Sequence, residues 1–244
     1  MRRLHKNFVP VIPYYSVIPL ITAFSFNMAV YGGARLIAGN WYHYNIETGL
    51  DRLIPFFSPA ASVYLGCYLF WAVNYILIAR QEKREAFQFF SADFLSRTVC
   101  FICYLVFPTT NTRPFVEAEG FWNQVMLFVY RADAADNLFP SIHCLVSWLC
   151  FAGLRGKHTI PRWYQRASLG MAVLVCLSTL LTKQHVIADV IGGILLAEAC
   201  LWLGKHTVTG TVYEKAADKV NSVFFKNPEF FRKGRSTSCR EKRK

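Results

Sequence analysis

The sequence predicts an all-α, polytopic membrane protein: a six-transmembrane-helix bundle with short amphipathic helices in an outer loop and in the C-terminal tail. Three observations predict it. Of the 244 residues, 54% are hydrophobic and only 17% are charged, where a soluble domain carries roughly 25% charged residues. Several apolar runs approach ~20 residues, the length a helix needs to cross the bilayer core. Between those runs, lysine and arginine gather at alternate junctions, as the two faces of a membrane require.

Taken in order, residues 1–13 carry Arg2, Arg3 and Lys6 ahead of a first span at 14–37. That run is too long for a signal peptide and lacks a small-residue cleavage site, so it reads as a retained span. Trp41, Tyr42 and Tyr44 then supply an aromatic belt. A second span at 59–79 ends in the charged run Arg80, Gln81, Glu82, Lys83, Arg84, and a third covers 89–107. The loop that follows contains Arg113 and an expected amphipathic helix, with Phe121, Val125, Phe128 and Val129 at helical spacing. Spans four, five and six are expected at 140–153, 167–181 and 186–203. These residues, 1–204, form one membrane domain. The remainder, 205–244, is a basic tail, with Val212, Ala216, Val220 and Phe224 recurring every four residues and a disordered end from 233 to 244.

The net charge of +12 is explained by topology. With both termini in the cytoplasm, 21 lysines and arginines lie on the inner side and 4 on the outer side. The positive-inside rule therefore gives cytoplasmic termini. The basic surface then serves membrane lipids, and nucleic acid is not an expected partner. Cys67, Cys100, Cys103, Cys144, Cys150, Cys176 and Cys200 lie in or beside apolar runs. The Cys100–Cys103 pair has no second pair to complete a metal site, so the cysteines read as small buried hydrophobes.

Chemistry concentrates where spans five and six meet. Lys183, His185 and Asp189 fall within seven positions between two apolar runs. With a helix starting near Val186, His185 and Asp189 share a face. The carboxylate then accepts a proton from one imidazole nitrogen and leaves the other free to react. Span parity brings Arg113, Ser141 and His143 to this same, extracytoplasmic side. Pro140 suits a first helical turn, whose free N–H groups attract an anion, and Ser141 adds a hydroxyl donor. Arg113 offers a planar fork for phosphate oxygens and Lys183 a point charge. Two histidines suit a phosphate ester: one attacks phosphorus while the other protonates the leaving oxygen.

Each residue alone has a plainer reading. His143 would be a solvated interface residue, Arg113 a headgroup contact and Lys183 a snorkelling lysine. Their agreement on one side of the membrane is what favours a site. Two other classes compete. A transporter would line a path with Asp93, Arg97, Lys183 and His185, but only the first two lie deep. Zinc would suit His143, His185 and Asp189 as ligands.

Arg113-Pro114, then Pro140-Ser141-Ile142-His143, then His185-Val186-Ile187-Ala188-Asp189 resembles the three-part signature of the type 2 phosphatidic acid phosphatase superfamily. The resemblance covers about residues 14–204. It implies a six-helix membrane enzyme acting on lipid phosphate, with no metal and no other cofactor. By the same resemblance His185 would be the nucleophile and Asp189 its orienting partner. His143 would be the general acid, with Arg113 and Ser141 holding phosphate.

Three positions depart from that pattern. Val106 stands where the family often has a lysine, Thr179 where it has an arginine, and Ile142 where it has glycine. Two cationic phosphate ligands are thereby missing, with Lys183 and then Arg131 as expected replacements. This thinned cage is similar to the branch containing inositol phosphorylceramide synthase and sphingomyelin synthase, which transfer a phospho-headgroup to an alcohol. Hydrolysis and transfer both remain open at this point.

Overall fold

The computed structural model of the protein describes residues 12–224. The chain begins with α1 (Tyr14–Ala38), β1 (Tyr44–Asn45), α2 (Gly49–Leu53) and α3 (Ala61–Ala79). It continues through α4 (Lys83–Val106), β2 (Thr109–Thr110), α5 (Phe121–Ala132) and α6 (Ile142–Leu154). The last three described elements are α7 (Arg162–Leu181), α8 (Ile187–His206) and α9 (Thr209–Phe224). The architecture is an all-α bundle. The two-residue parallel ladder of β1 on β2, pairing Tyr44 with Thr109, ties the loop after α1 to the loop after α4.

Five helices among the described residues are long and apolar enough to cross a membrane: α1, α4, α7, α8, and α3 with the turn that precedes it. The expected fourth span is α6, which has only 13 residues. At 1.5 Å per residue it rises about 20 Å, short of the ~30 Å hydrocarbon core. Its residues from Cys144 to Leu154 are nearly all buried, because α3, α7 and α8 pack around it. It is the shorter apolar helix of the bundle, packed among the longer ones. The third span starts earlier than its hydropathy suggests, since α4 carries polar residues from Lys83 onward into the helix.

Those polar residues are paired inside the bundle. Arg97 Nη2 meets Asp93 Oδ1 at 3.0 Å, and Arg97 Nη1 donates to Asn27 Oδ1 at 2.8 Å. The Tyr75 hydroxyl donates to the same Asp93 oxygen at 2.6 Å. One ion pair thus links α1, α3 and α4, which is how a bundle accommodates charge at membrane depth.

The expected outer-loop helix is α5, which buries Met126 and Val129 and leaves Phe121 and Phe128 exposed. In the tail, α9 folds back onto α4 and α1. It buries Gly210, Ala217 and Asn221, with Tyr213 against Phe87 and Phe94. Lys83 Nζ holds it through Glu214 (3.0 Å) and Asp218 (2.7 Å). The stripe singled out in the sequence points elsewhere: Val212, Ala216 and Val220 are exposed. The disorder expected for 233–244 lies outside the described residues, as do Arg2, Arg3 and Lys6.

The close approach of α6 to α8 positions the site. A Cβ on Gly193 would lie 2.7 Å from Ser141 O and 3.1 Å from Leu145 N, and one on Gly192 would meet the Phe139 ring at 2.5 Å. Backbone cannot yield as a flexible side chain can, so Gly193 lets the first turns of the two helices touch. Gly193→Val is expected to force them apart and to destabilise the protein by about 1–3 kcal/mol, the usual effect of overpacking. Thermal unfolding in detergent would read this as a lowered midpoint, with loss of activity alongside.

Candidate active site

Ser141 is the N-cap of α6, and its Oγ accepts the Cys144 N–H at 3.2 Å. Pro140 therefore stands just outside the helix, where the sequence reading had it in the first turn. The Ser141 N–H donates to the Asp189 carbonyl at 3.1 Å. Asp189 in turn lies in the first turn of α8, and its Oδ2 accepts the Val186 N–H at 3.0 Å. The same oxygen lies 3.2 Å from His185 Nδ1. A carboxylate offers only acceptors, so Nδ1 carries the hydrogen and Nε2 keeps its lone pair.

The loop bearing His185 is fixed from several directions. Lys183 adopts a left-handed backbone (φ 53°), and the reversal aims both the Gln184 and His185 N–H groups at Thr179 O, at 2.9 and 3.1 Å. The Tyr130 hydroxyl donates to Thr182 O (2.8 Å), and Asn111 Nδ2 donates to Lys183 O (2.8 Å). Asp51 holds the other side. Its Oδ1 accepts the Ile187 N–H at 2.7 Å, and its carbonyl accepts Lys183 Nζ at 2.7 Å. Burial would raise the Asp51 pKa, but the Thr48 and Ile187 hydrogen bonds and the Lys183 charge hold it below the usual carboxylate value.

His143 approaches from α6, with its ring centroid 5.9 Å from that of His185. Aromatic side chains of α3 wall its other side: Tyr64 stacks on it at 4.4 Å, and Trp71 and Tyr68 lie at 5.4 and 6.1 Å. Among the described residues, four buried polar atoms around the two histidines have no partner: His143 Nε2, Asp189 Oδ1, Gln184 Nε2 and Arg113 Nε. Unpaired buried groups are few in native proteins. Four of them lie beside this one histidine pair.

Arg113 reaches this place as a staple. Its Nη1 donates to the carbonyls of Asp133 (2.7 Å) and Tyr130 (3.3 Å), and its Nη2 to Gln184 Oε1. The guanidinium sits over the Tyr130 ring at 4.5 Å. Lys183 and His185 line one small pocket with Asn111 and Thr112, and His143 is not among the lining residues. The structure thus joins His185, Asp189, Ser141, His143 and Arg113 through direct contacts or one intervening residue, while Lys183 turns toward Asp51. Arg131 is exposed at the end of α5. A larger cleft at the opposite end of the bundle, beside Gln81, Glu85 and Lys205, includes no histidine.

Sequence reasoning passed over Asp133, Tyr31 and Tyr64. Asp133 accepts both tyrosine hydroxyls, Tyr31 on Oδ1 and Tyr64 on Oδ2 at 2.6 Å. The available signal was a pair of carboxylates, Asp133 and Asp136, just ahead of the Pro140–His143 motif.

A polytopic helical bundle with paired imidazoles, one seated on a buried carboxylate, defines a membrane protein suited to phosphate-ester chemistry. The sequence model of the PAP2 superfamily matches residues 45–203, and the chain belongs to that superfamily. It is a family of phosphatase- and phosphotransferase-type lipid enzymes that act on lipid phosphates in membranes. No curated protein and no solved structure matches the chain at a significant level.

The His185–Asp189 pair carries a pH signature. Burial works to lower the His185 pKa, but the hydrogen bond and charge of Asp189 outweigh it and hold it above 6.5. A folded-state pKa above the unfolded one adds stability that is complete below the unfolded value and fades as pH rises through the raised value. Asp189→Asn removes the raising partner. The gap in unfolding midpoint between wild type and Asp189→Asn is therefore expected to be wider at about pH 5.5 than at about pH 9.

Proposed function

We propose that the protein is an integral membrane phosphatase that hydrolyses lipid phosphate monoesters through a phosphohistidine on His185. The observation that carries this reading is the geometry of the two imidazoles. His185 has its Nδ1 on Asp189 and, among the described residues, no hydrogen bond on its Nε2, and His143 approaches to a centroid distance of 5.9 Å with Nε2 unpaired.

In the first step His185 Nε2 attacks phosphorus. The P–N bond forms as the P–O bond to the lipid breaks, and His143 Nε2–H gives its proton to the departing alkoxide. Asp189 balances the charge that builds on the His185 ring. In the second step water attacks phosphorus on the side opposite His185, and its proton passes to His143 as the P–N bond breaks. Inorganic phosphate leaves and both histidines return to their starting states. The phosphate oxygens are held by Arg113, by the N–H groups and hydroxyl at the Ser141 helix start, and by Lys183. A lysine ammonium has three donors, of which the Asp51 carbonyl takes one.

The distribution of basic residues supports cytoplasmic termini and an extracytoplasmic site. The start of α1 is bonded to the α3–α4 turn, Tyr15 to Gln81 O and Ser16 to Ala79 O, at the end of the bundle away from His185.

A second reading is phosphotransfer, in which an acceptor alcohol takes the place of water. It is favoured by the missing cationic ligands: Val106 is exposed, and Thr179 is buried with its hydroxyl on Cys176 O.

The test is product analysis with purified protein and a panel of lipid phosphates, with and without alcohol acceptors. Hydrolysis releases inorganic phosphate; transfer yields a phosphodiester lipid. His185→Ala is expected to lower kcat by about 10³-fold or more, and turnover at the wild-type rate would sink the mechanism. The kcat profile is expected to be bell-shaped, because one histidine must be neutral while the other is protonated. Lys183→Ala is expected to raise KM more than it lowers kcat.

A further inference from the structure

The first span lies outside the family match, which begins at residue 45, yet it delivers a side chain to the site. Tyr31 of α1 and Tyr64 of α3 donate their hydroxyls to the two oxygens of Asp133. The Tyr64 ring stacks on His143 at 4.4 Å with 28° between the planes. Arg113 binds the main-chain oxygen of the same aspartate at 2.7 Å. One carboxylate thus joins α1, α3, the phosphate-binding arginine and the His143 ring.

We propose that Tyr31, Asp133 and Tyr64 form a positioning node, which keeps the His143 ring in place and supports the positive charge it carries as proton donor. The node rests on the reading of His143 as the proton-transferring partner of His185. It makes α1, beyond the shared family region, part of the working site.

The electrostatics agree with the geometry. Burial pushes the Asp133 pKa upward, but His143, the Tyr31 and Tyr64 hydroxyls and His185 outweigh it and hold the group below the usual carboxylate value. Asp133 is therefore ionised at neutral pH. The groups facing it are Tyr31 from α1, Tyr64 and Tyr68 from α3, Arg113 from the loop after β2, His143 from α6 and His185 from the α7–α8 loop, and His143 also feels the Arg97 charge of α4. Asp136, three residues on, adds like charge but is itself engaged with Arg35 at 3.4 Å. Only His143 touches the node through a stacked ring, so its protonated form gains most from the carboxylate.

A purely structural brace would stabilise the fold and leave the proton chemistry alone, and the experiment separates these roles. Full-length wild type, Asp133→Asn and Tyr31→Phe would be prepared in detergent with ¹⁵N-labelled histidine. The His143 ring would be titrated by NMR alongside the pH profile of kcat. Asp133→Asn is expected to lower the His143 pKa by about one unit and to move the limb of the kcat profile that His143 sets down by the same amount. Its kcat is expected to fall about tenfold or more, with KM within about twofold of wild type. Tyr31→Phe keeps the charge and removes one anchor, so kcat should fall several-fold with that limb in place. A folded Asp133→Asn with unaltered His143 titration and pH profile overturns the node. Should Asp133→Asn not fold, an unchanged kcat in Tyr31→Phe overturns it instead. The titration needs no turnover: a wild type without phosphoesterase activity defeats the functional reading, whereas a titration indifferent to Asp133 defeats the node alone.

Discussion

Asp189 takes part in three separate attachments at the end of the bundle that carries the histidine pair. Its carbonyl accepts the N–H of the α6 N-cap, its side chain accepts the N–H at the start of α8, and the same side-chain oxygen holds the His185 ring. These attachments need the first turns of α6 and α8 to meet, and Gly193 permits it. The distance between the two histidines is therefore set by a helix–helix contact as well as by the loops that carry them. A fully buried carboxylate is costly unless its acceptor sites are filled. Asp189 fills one oxygen with protein donors and leaves the other unpaired, so it is bound firmly enough to orient an imidazole and still faces an unfilled place.

Much of this was legible in the sequence, because the informative signals were local. The i, i+4 spacing of His185 and Asp189, the run from Pro140 to His143 and the parity of the spans need no distant contact to be read. They gave the family, the bundle and the histidine pair. What escaped depended on contacts far apart in the chain. Lys183 reads as a point charge in a loop, and only the fold shows that one of its N–H donors goes to the Asp51 carbonyl, 132 residues away. Tyr31 reads as one more aromatic in an apolar span, and only packing reveals that its hydroxyl meets Asp133, 102 residues on. Hydropathy also did not tell how α6 is surrounded. An apolar run bounded by polar loops looks the same whether lipid or other helices surround it, and the short length of α6 is the discriminating fact.

The bundle contains two clusters of buried charge, and their difference explains why one reads as scaffold and the other as site. Around Asp93 and Arg97, opposite charges meet directly. Tyr75 and Asn27 complete their hydrogen bonds, and a single guanidinium N–H is left over. Such a cluster gains by staying closed, since breaking one partner strands the other at membrane depth. Around His185 the balance is reversed. The backbone is over-determined, with Thr179, Tyr130, Asn111 and Asp51 all gripping the loop, while the side-chain atoms pointing inward stay unpaired. A rigid frame around unsatisfied groups is what preorganised electrostatic catalysis requires, because the donors need not reorganise when charge develops on a phosphoryl group. The transporter reading asks for the opposite arrangement, a path of exchangeable partners through the depth of the bundle. Here the deep charges are paired with each other, and the groups without partners beside the histidines gather at one end of the bundle.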